Sequence, residues 1–173
     1  MDEQVALYAD GDLSGRVIGV APRTEVRARN LPHAATAVLL RDAAGRVYVH
    51  RRTDTKDIYP GMHDVWAGGV ILAGEDPDAA AARELAEELG VHDCPLTPVL
   101  RYWYADEYTR YLAFVYEARY DPDRNGPIVH QPTEVVSGAW LGWDELQARL
   151  ADPTWPFVPD GRAGLHQYQA ALG

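Results

Sequence analysis

One cysteine among 173 residues, Cys94, leaves no partner for an internal disulfide. It sits in Val91-His92-Asp93-Cys94-Pro95, just past an expected helix, with no nucleophile motif around it, so it reads as structural rather than catalytic. Lysine is almost as scarce: Lys56 stands alone against fifteen arginines. No apolar run approaches the ~18 residues that a membrane span needs. The start, Met1-Asp2-Glu3-Gln4, lacks the charged-then-apolar pattern of a secretory leader. A cytoplasmic location with no membrane partner is therefore expected. With a net charge of −10 and no basic cluster longer than a few residues, the chain lacks the footprint of a nucleic-acid binder. No linker divides it and no repeat is visible, so one domain over 1–173 is expected.

What is present begins with an apolar fraction of 47% against 24% charged residues, the balance of a globular chain with a core. Val5 to Tyr8 and Arg16 to Val20 flank Asp10-Gly11-Asp12 and read as an N-terminal hairpin, an extension over 1–30. Ala35 to Leu40 is almost wholly apolar, which suits a central strand buried on both faces. It is joined to Arg46–His50 through Asp42-Ala43-Ala44-Gly45, a short hairpin loop. Tyr102–Tyr104, Tyr111–Tyr116 and Val135–Leu141 read as further strands. Helices are expected from Pro77 to Leu89, Asp144 to Leu150 and Arg162 to Leu172. For the first of these, Asp76 suits the N-cap, Pro77 the first helical position and Gly90 the C-terminal cap. Strands mixed with a few helices, without strict alternation, indicate an α/β sandwich.

The Pro77–Leu89 helix carries the densest chemistry. Successive residues advance about 100°, so Glu84, Glu87 and Glu88 share one face, while Ala81, Leu85 and Leu89 form a core stripe. Like charges at this spacing repel, and Arg83 offsets only part of that. A hard divalent cation, Mg²⁺ or Mn²⁺, would offset more; a solvated acidic face is the alternative. Glu75 adds a carboxylate just before the helix. Arg51, Arg52 and Lys56 form the densest positive spot, suited to a small anion or to a surface turn.

Gly69, Glu75 and then Arg83-Glu84-Leu85-Ala86-Glu87-Glu88-Leu89-Gly90-Val91 follow one long spacing, with five residues between the first two and seven before Arg83. This resembles the Nudix box at every defined position. The resemblance implies a Nudix-type α/β/α sandwich with a mixed β-sheet, and cleavage of a small diphosphate compound by water attack on phosphorus with Mg²⁺ or Mn²⁺. It implies Glu84, Glu87 and Glu88 as metal ligands beside Gly69, with Glu84 a candidate to orient or deprotonate the water and Arg83 holding a box carboxylate. Many members take a general base from a later loop; Glu134 is the first candidate, with Asp106 and Glu107 behind it.

Outside the box, Arg51-Arg52, Lys56 and Pro60-Gly61 resemble type I isopentenyl-diphosphate isomerases and related hydrolases, as do Leu31-Pro32-His33-Ala34 and Thr154-Trp155-Pro156-Phe157. That likeness implies Arg52 and Lys56 as diphosphate-binding residues, and it makes His33 a metal-ligand candidate. Trp155, Tyr104 or Tyr108 could stack on a substrate group, though core packing suits most aromatics better. The isomerases' catalytic cysteine falls at Gly68, a histidine ligand at Val70, and their paired acids near Thr109-Arg110-Tyr111, so isomerase chemistry is not expected. A nucleotide-sensing domain that binds without cleaving is the remaining alternative. The box leaves substrate identity open, and the chain reads equally as a monomer or homodimer.

Overall fold

The computed structural model describes residues 2–173; Met1, the first residue of the expected extension, lies outside the described residues. A small antiparallel sheet of β1 (Gln4–Tyr8) and β2 (Val17–Pro22) opens the chain. It is followed by a short helix, α1 (Arg23–Arg29), for which the sequence reading made no provision. The main sheet contains β3 (His33–Arg41), β4 (Val47–Arg52), β5 (His63–Asp64), β6 (Trp66–Ala67), β7 (Leu96–Ala105), β8 (Arg110–Arg119) and β9 (Val135–Leu141). Its central path is β5-β4-β3-β8-β7, with β6 on β3 and β9 on β4. The β3–β8 pair is parallel and the others antiparallel, so the sheet is mixed.

The helices α2 (Pro77–Leu89), α3 (Pro122–Asn125), α4 (Trp143–Leu150) and α5 (Pro159–Leu172) complete the fold. Strand alternation sorts the core into two layers. Ala34, Val38 and Leu40 of β3, with Leu112, Phe114 and Tyr116 of β8, pack against Ala81, Leu85 and Leu89 of α2. Leu39 of β3, with Ala113 and Val115 of β8, faces the other way, towards Leu146 of α4 and Leu165 and Tyr168 of α5. One sheet between two helical layers is the expected α/β/α arrangement. Full burial of Leu85 and Leu89 contributes about 1.5–3 kcal/mol each.

The bounds of α2 match its caps. The Asp76 carboxylate accepts hydrogen bonds from the Asp78 and Ala79 amides at 3.1 and 3.2 Å, and Gly90 ends the helix at φ 68°, in the left-handed region. The Asp42–Gly45 loop forms, but β3 and β4 pair only at Arg41–Val47. Beyond that point they splay. β3 takes β8 and β6 as partners and β4 takes β9, because a doubly buried strand needs company on both edges. The aromatic strands extend further than their aromatic cores, and α5 starts three residues earlier than expected, with Pro159 in its first turn. β1 buries Val5, Ala6 and Tyr8, whereas β2 leaves Val17, Ile18 and Val20 more than half exposed. Among the described residues no helix is long and apolar enough to cross a membrane.

Candidate active site

β6 ends at Ala67, and the next two glycines let the chain cross tightly over β3. The Thr36 amide donates to the Gly69 carbonyl at 2.9 Å. A Cβ at Gly68 would lie 2.6 Å from the Thr36 carbonyl carbon, and closer still to its oxygen. No side chain fits there without moving backbone, so the position that holds cysteine in the isomerases is closed to it here. A Cβ at Gly69 would meet the Glu84 carboxylate at 2.6 Å. Two bare backbone positions thus let α2 bring its acidic face against the end of β6.

Arg83 organises that face. Its guanidinium grips both Glu75 oxygens at 2.7 and 2.9 Å, and also donates to Glu84 at 2.9 Å and Glu87 at 3.3 Å. The Leu72 amide adds a third bond to Glu75. These contacts hold the Glu75 carboxyl below the usual range, with Arg83 the leading cause. Glu84 behaves oppositely: burial raises it more than Arg83 lowers it. Glu88 is pushed well above the carboxylate range by desolvation, with Glu84, Asp64 and Glu134 adding to the effect and Lys56 only partly offsetting it.

A cavity of about 280 Å³ joins these groups. Gly69, Arg83, Glu84, Glu87 and Glu88 line it, and so do Arg52, Lys56, Glu134 and His33. Nine residues expected from the sequence to bind metal, bind phosphate or do chemistry therefore share one space. Within it, Lys56 is ion-paired to Glu134. Arg52 donates to the carbonyls of Tyr59 and Ile58 at 3.3 and 2.8 Å. Tyr59 holds that turn at φ 52°, in the left-handed region where a bulky side chain is rare, and its ring also lines the cavity. His33 bonds through Nδ1 to the Leu31 carbonyl at 2.9 Å, and burial lowers it to about 4, which keeps the ring neutral.

Other candidates fall elsewhere. Trp155, expected to touch substrate, is not among the cavity's lining; it packs on Phe157 and His63 at 5.2 and 5.1 Å between ring centres. The loop after β9 and α4 folds it towards its own segment. Tyr104 and Tyr108 also lie outside the lining, and Glu107 is exposed. Asp106 is consumed by its own loop, accepting from Tyr59 and Tyr104 hydroxyls and from the Tyr108 and Thr109 amides. Cys94 donates to the Arg119 carbonyl at 3.0 Å, and burial pushes its thiol up to about 11, so it is no nucleophile.

Several lining residues escaped the sequence reading. Arg23 and Arg27 arrive from α1, one turn apart, paired with the outer carboxylates Glu3 and Asp57 at 2.9 and 3.3 Å. Their four-residue spacing was visible, but no helix was expected there. His50, Asp64, Tyr102, Tyr111 and Asp160 come from four strands and α5, and no local motif links them.

The match to known proteins extends across this architecture. A family model described as the NUDIX domain matches residues 31–161. An uncharacterised Nudix hydrolase, orf19, of Rhodococcus erythropolis is 47% identical, covering 96% of this chain and 92% of its own. The uncharacterised Nudix hydrolase YfcD of Escherichia coli K12 is 37% identical, over 86% of this chain and 78% of its own. Among solved structures, DR0079 of Deinococcus radiodurans superposes with a TM-score of 0.76 at 24% identity, covering 96% of this chain and 99% of its own. The NUDIX domain of Shewanella oneidensis NrtR, solved with ADP ribose, gives 0.64 at 15% identity, over 88% and 100%. These last two likenesses concern the fold. With the box on α2, the mixed sheet between helices and close relatives along nearly its whole length, this chain belongs to the Nudix hydrolase family.

Proposed function

We propose that the protein is a metal-dependent hydrolase that cleaves the diphosphate linkage of a small organic diphosphate. The observation that carries this reading is the meeting of Glu84, Glu87 and Glu88 with Glu134 and four cationic side chains, Arg23, Arg27, Arg52 and Lys56, around one cavity. Glu88 has no ion-pair partner among the described residues and Glu84 shares Arg83 with Glu75 and Glu87, an arrangement that suits a hard divalent ion, Mg²⁺ or Mn²⁺. Glu84 and Glu88 fit that role best, since burial already disfavours their lone charges. Among the described residues no three acids or histidines already stand at metal-binding distance, so Glu84 has to be shared with, or released by, Arg83. The Gly69 carbonyl already accepts from Thr36 and retains a second lone pair.

A bound divalent ion would supply charge neutralisation at the phosphoryl oxygens and lower the pKa of its water. The protein's own groups do the rest. Arg83 fixes the orientation of Glu84 and Glu87. Arg23 and Arg27 can turn from their outer carboxylates to meet a phosphate. In this reading Glu134, which lines the cavity, takes the proton of an attacking water once Lys56 leaves it for the substrate's charge. Isomerase chemistry has no support: Gly68 excludes the cysteine, and the paired-acid position presents Thr109 and Tyr111 hydroxyls instead.

The test is phosphate or nucleotide release from a panel of diphosphate compounds with Mg²⁺, with Mn²⁺ and with chelator. Metal-dependent release is expected, and Glu88→Gln should lower it by about 100-fold or more. Tight nucleotide binding with no product from any compound would instead indicate a sensing domain.

A further inference from the structure

Part of the cavity has no evident use in phosphorus chemistry. Asp64, at the end of β5, is 9% exposed. Its Oδ1 accepts from the Trp66 amide at 3.0 Å, the Val65 amide also favours the ionised carboxyl, and among the described residues no side chain donates to it. Asp160, in the first turn of α5, accepts from the Gly161 amide at 2.9 Å and from the Tyr111 hydroxyl at 2.8 Å. Gly161 makes the approach possible, because a Cβ there would fall 2.7 Å from the Asp64 carboxylate. Among the described residues neither carboxyl has a basic partner at ion-pair distance; burial raises both, Asp160 raises Asp64 further, to about 7, and Arg52 offsets only part of this while its own N–H groups serve backbone carbonyls. His50, paired in register with Asp64 across β4 and β5, is 3% exposed, lines the same cavity, and among the described residues has no hydrogen bond at either ring nitrogen.

We infer that Asp64, Asp160 and His50 form a recognition subsite for N–H or O–H donors on the organic group of the substrate, and that it rejects hydrocarbon groups. The inference rests on the hydrolase reading only for the diphosphate that anchors the ligand at the other acids. Two adjacent carboxyls accept hydrogen bonds, and an imidazole accepts or donates one more. A hydroxylated sugar or an aminated base satisfies all three groups. A prenyl chain would offer none of them a hydrogen bond and would shut the His50 ring and the Asp64 carboxyl off from water, which is the situation in which a polar site discriminates most strongly.

Adenosine diphosphate, inosine diphosphate and dimethylallyl diphosphate form a discriminating series. Hydrolysis is measured with Mg²⁺, and binding by calorimetry with Ca²⁺, for the wild type and for Asp64→Asn and Asp160→Asn. Wild-type protein should bind both nucleotides at least about tenfold more tightly than dimethylallyl diphosphate. The Asn variants, which present an amide donor where an acceptor stood, should lose about tenfold or more in nucleotide affinity and KM. A loss confined to adenosine diphosphate would assign the contact to the amino group, and an equal loss for inosine diphosphate would assign it to other donors, the sugar hydroxyls among them. Dimethylallyl diphosphate binding as well as the nucleotides would overturn the inference, as would Asn variants that melt like the wild type and bind nucleotides unchanged. If nothing is hydrolysed but binding still follows the carboxyls, the hydrolase reading fails and the subsite stands.

Discussion

Glu88→Gln in metal-free buffer separates a metal-binding carboxylate from a merely exposed one. The side chain is hemmed in by Glu84, Asp64 and Glu134, with Lys56 the cation that opposes them. Its folded pKa lies well above the ordinary glutamate value of about 4.3. A carboxyl of this kind binds its proton more tightly folded than unfolded. It therefore costs nothing below the unfolded pKa and destabilises progressively as pH rises through the gap towards the folded pKa. The variant carries no such charge. Other titrating groups, including neutral His33 and His50, are common to both proteins and largely cancel in the difference. At about pH 4 the two should melt together; by about pH 8 the variant should be more stable by roughly 1–3 kcal/mol, the ordinary cost of an uncompensated buried polar group. For a chain of this size that corresponds to roughly 2–12 °C in Tm. Mg²⁺ should close the gap or reverse it. At a hundred times Kd a ligand stabilises by about 2.7 kcal/mol, so wild-type Tm should rise by roughly 5–11 °C, while the variant hardly responds. Thermal melts by circular dichroism at both pH values, with and without Mg²⁺, provide the assay. A variant that is less stable than wild type at pH 8 without metal, or that keeps the full Mg²⁺ shift, would refute the reasoning.

Gly68→Ala should destabilise by about 1–3 kcal/mol, because its methyl group meets the Thr36 backbone rather than a side chain that can swing away; denaturant melts would show it, and an unchanged midpoint would mean the crossing is looser than it stands here. Arg23→Ala and Arg27→Ala should each raise KM for a diphosphate substrate by about tenfold with a smaller effect on kcat, as expected for a lost charge-assisted contact. Arg83→Lys should lower kcat by about tenfold or more, since an ammonium cannot span the two Glu75 oxygens, Glu84 and Glu87 as the planar guanidinium does; initial rates at saturating substrate would measure it. Glu134→Gln should depress kcat and flatten the acidic limb of the pH–rate profile if Glu134 is the base, and an unchanged limb would remove it from that role.

Local rules made the middle of the chain legible. Asp76, Pro77 and Gly90 marked both ends of α2, and its 3.6-residue period separated Leu85 and Leu89 from Glu84 and Glu88, because caps and helical faces depend on neighbours a few residues away. The long box spacing carried the family in the same way, and the apolar run of β3 correctly announced a central strand. The helix α1 gave no such signal: it is seven residues long, begins after a proline and lacks a side-chain cap. With it the sequence reading missed Arg23 and Arg27. Trp155 looked like a substrate contact from its segment alone, but its placement depends on how the loop before α5 packs, and the loop turns it onto Phe157 and His63.

The sequence by itself determined the helix, its acidic face and the family. All of these follow from spacing along one continuous stretch. Only the tertiary structure decided which other side chains share the cavity. His50, Asp64, Tyr111 and Asp160 are brought together by the β4–β5 and β3–β8 pairings and the docking of α5, contacts between segments as far apart as residues 50 and 160. Such partners are chosen by packing the whole sheet at once, and no local spacing encodes them.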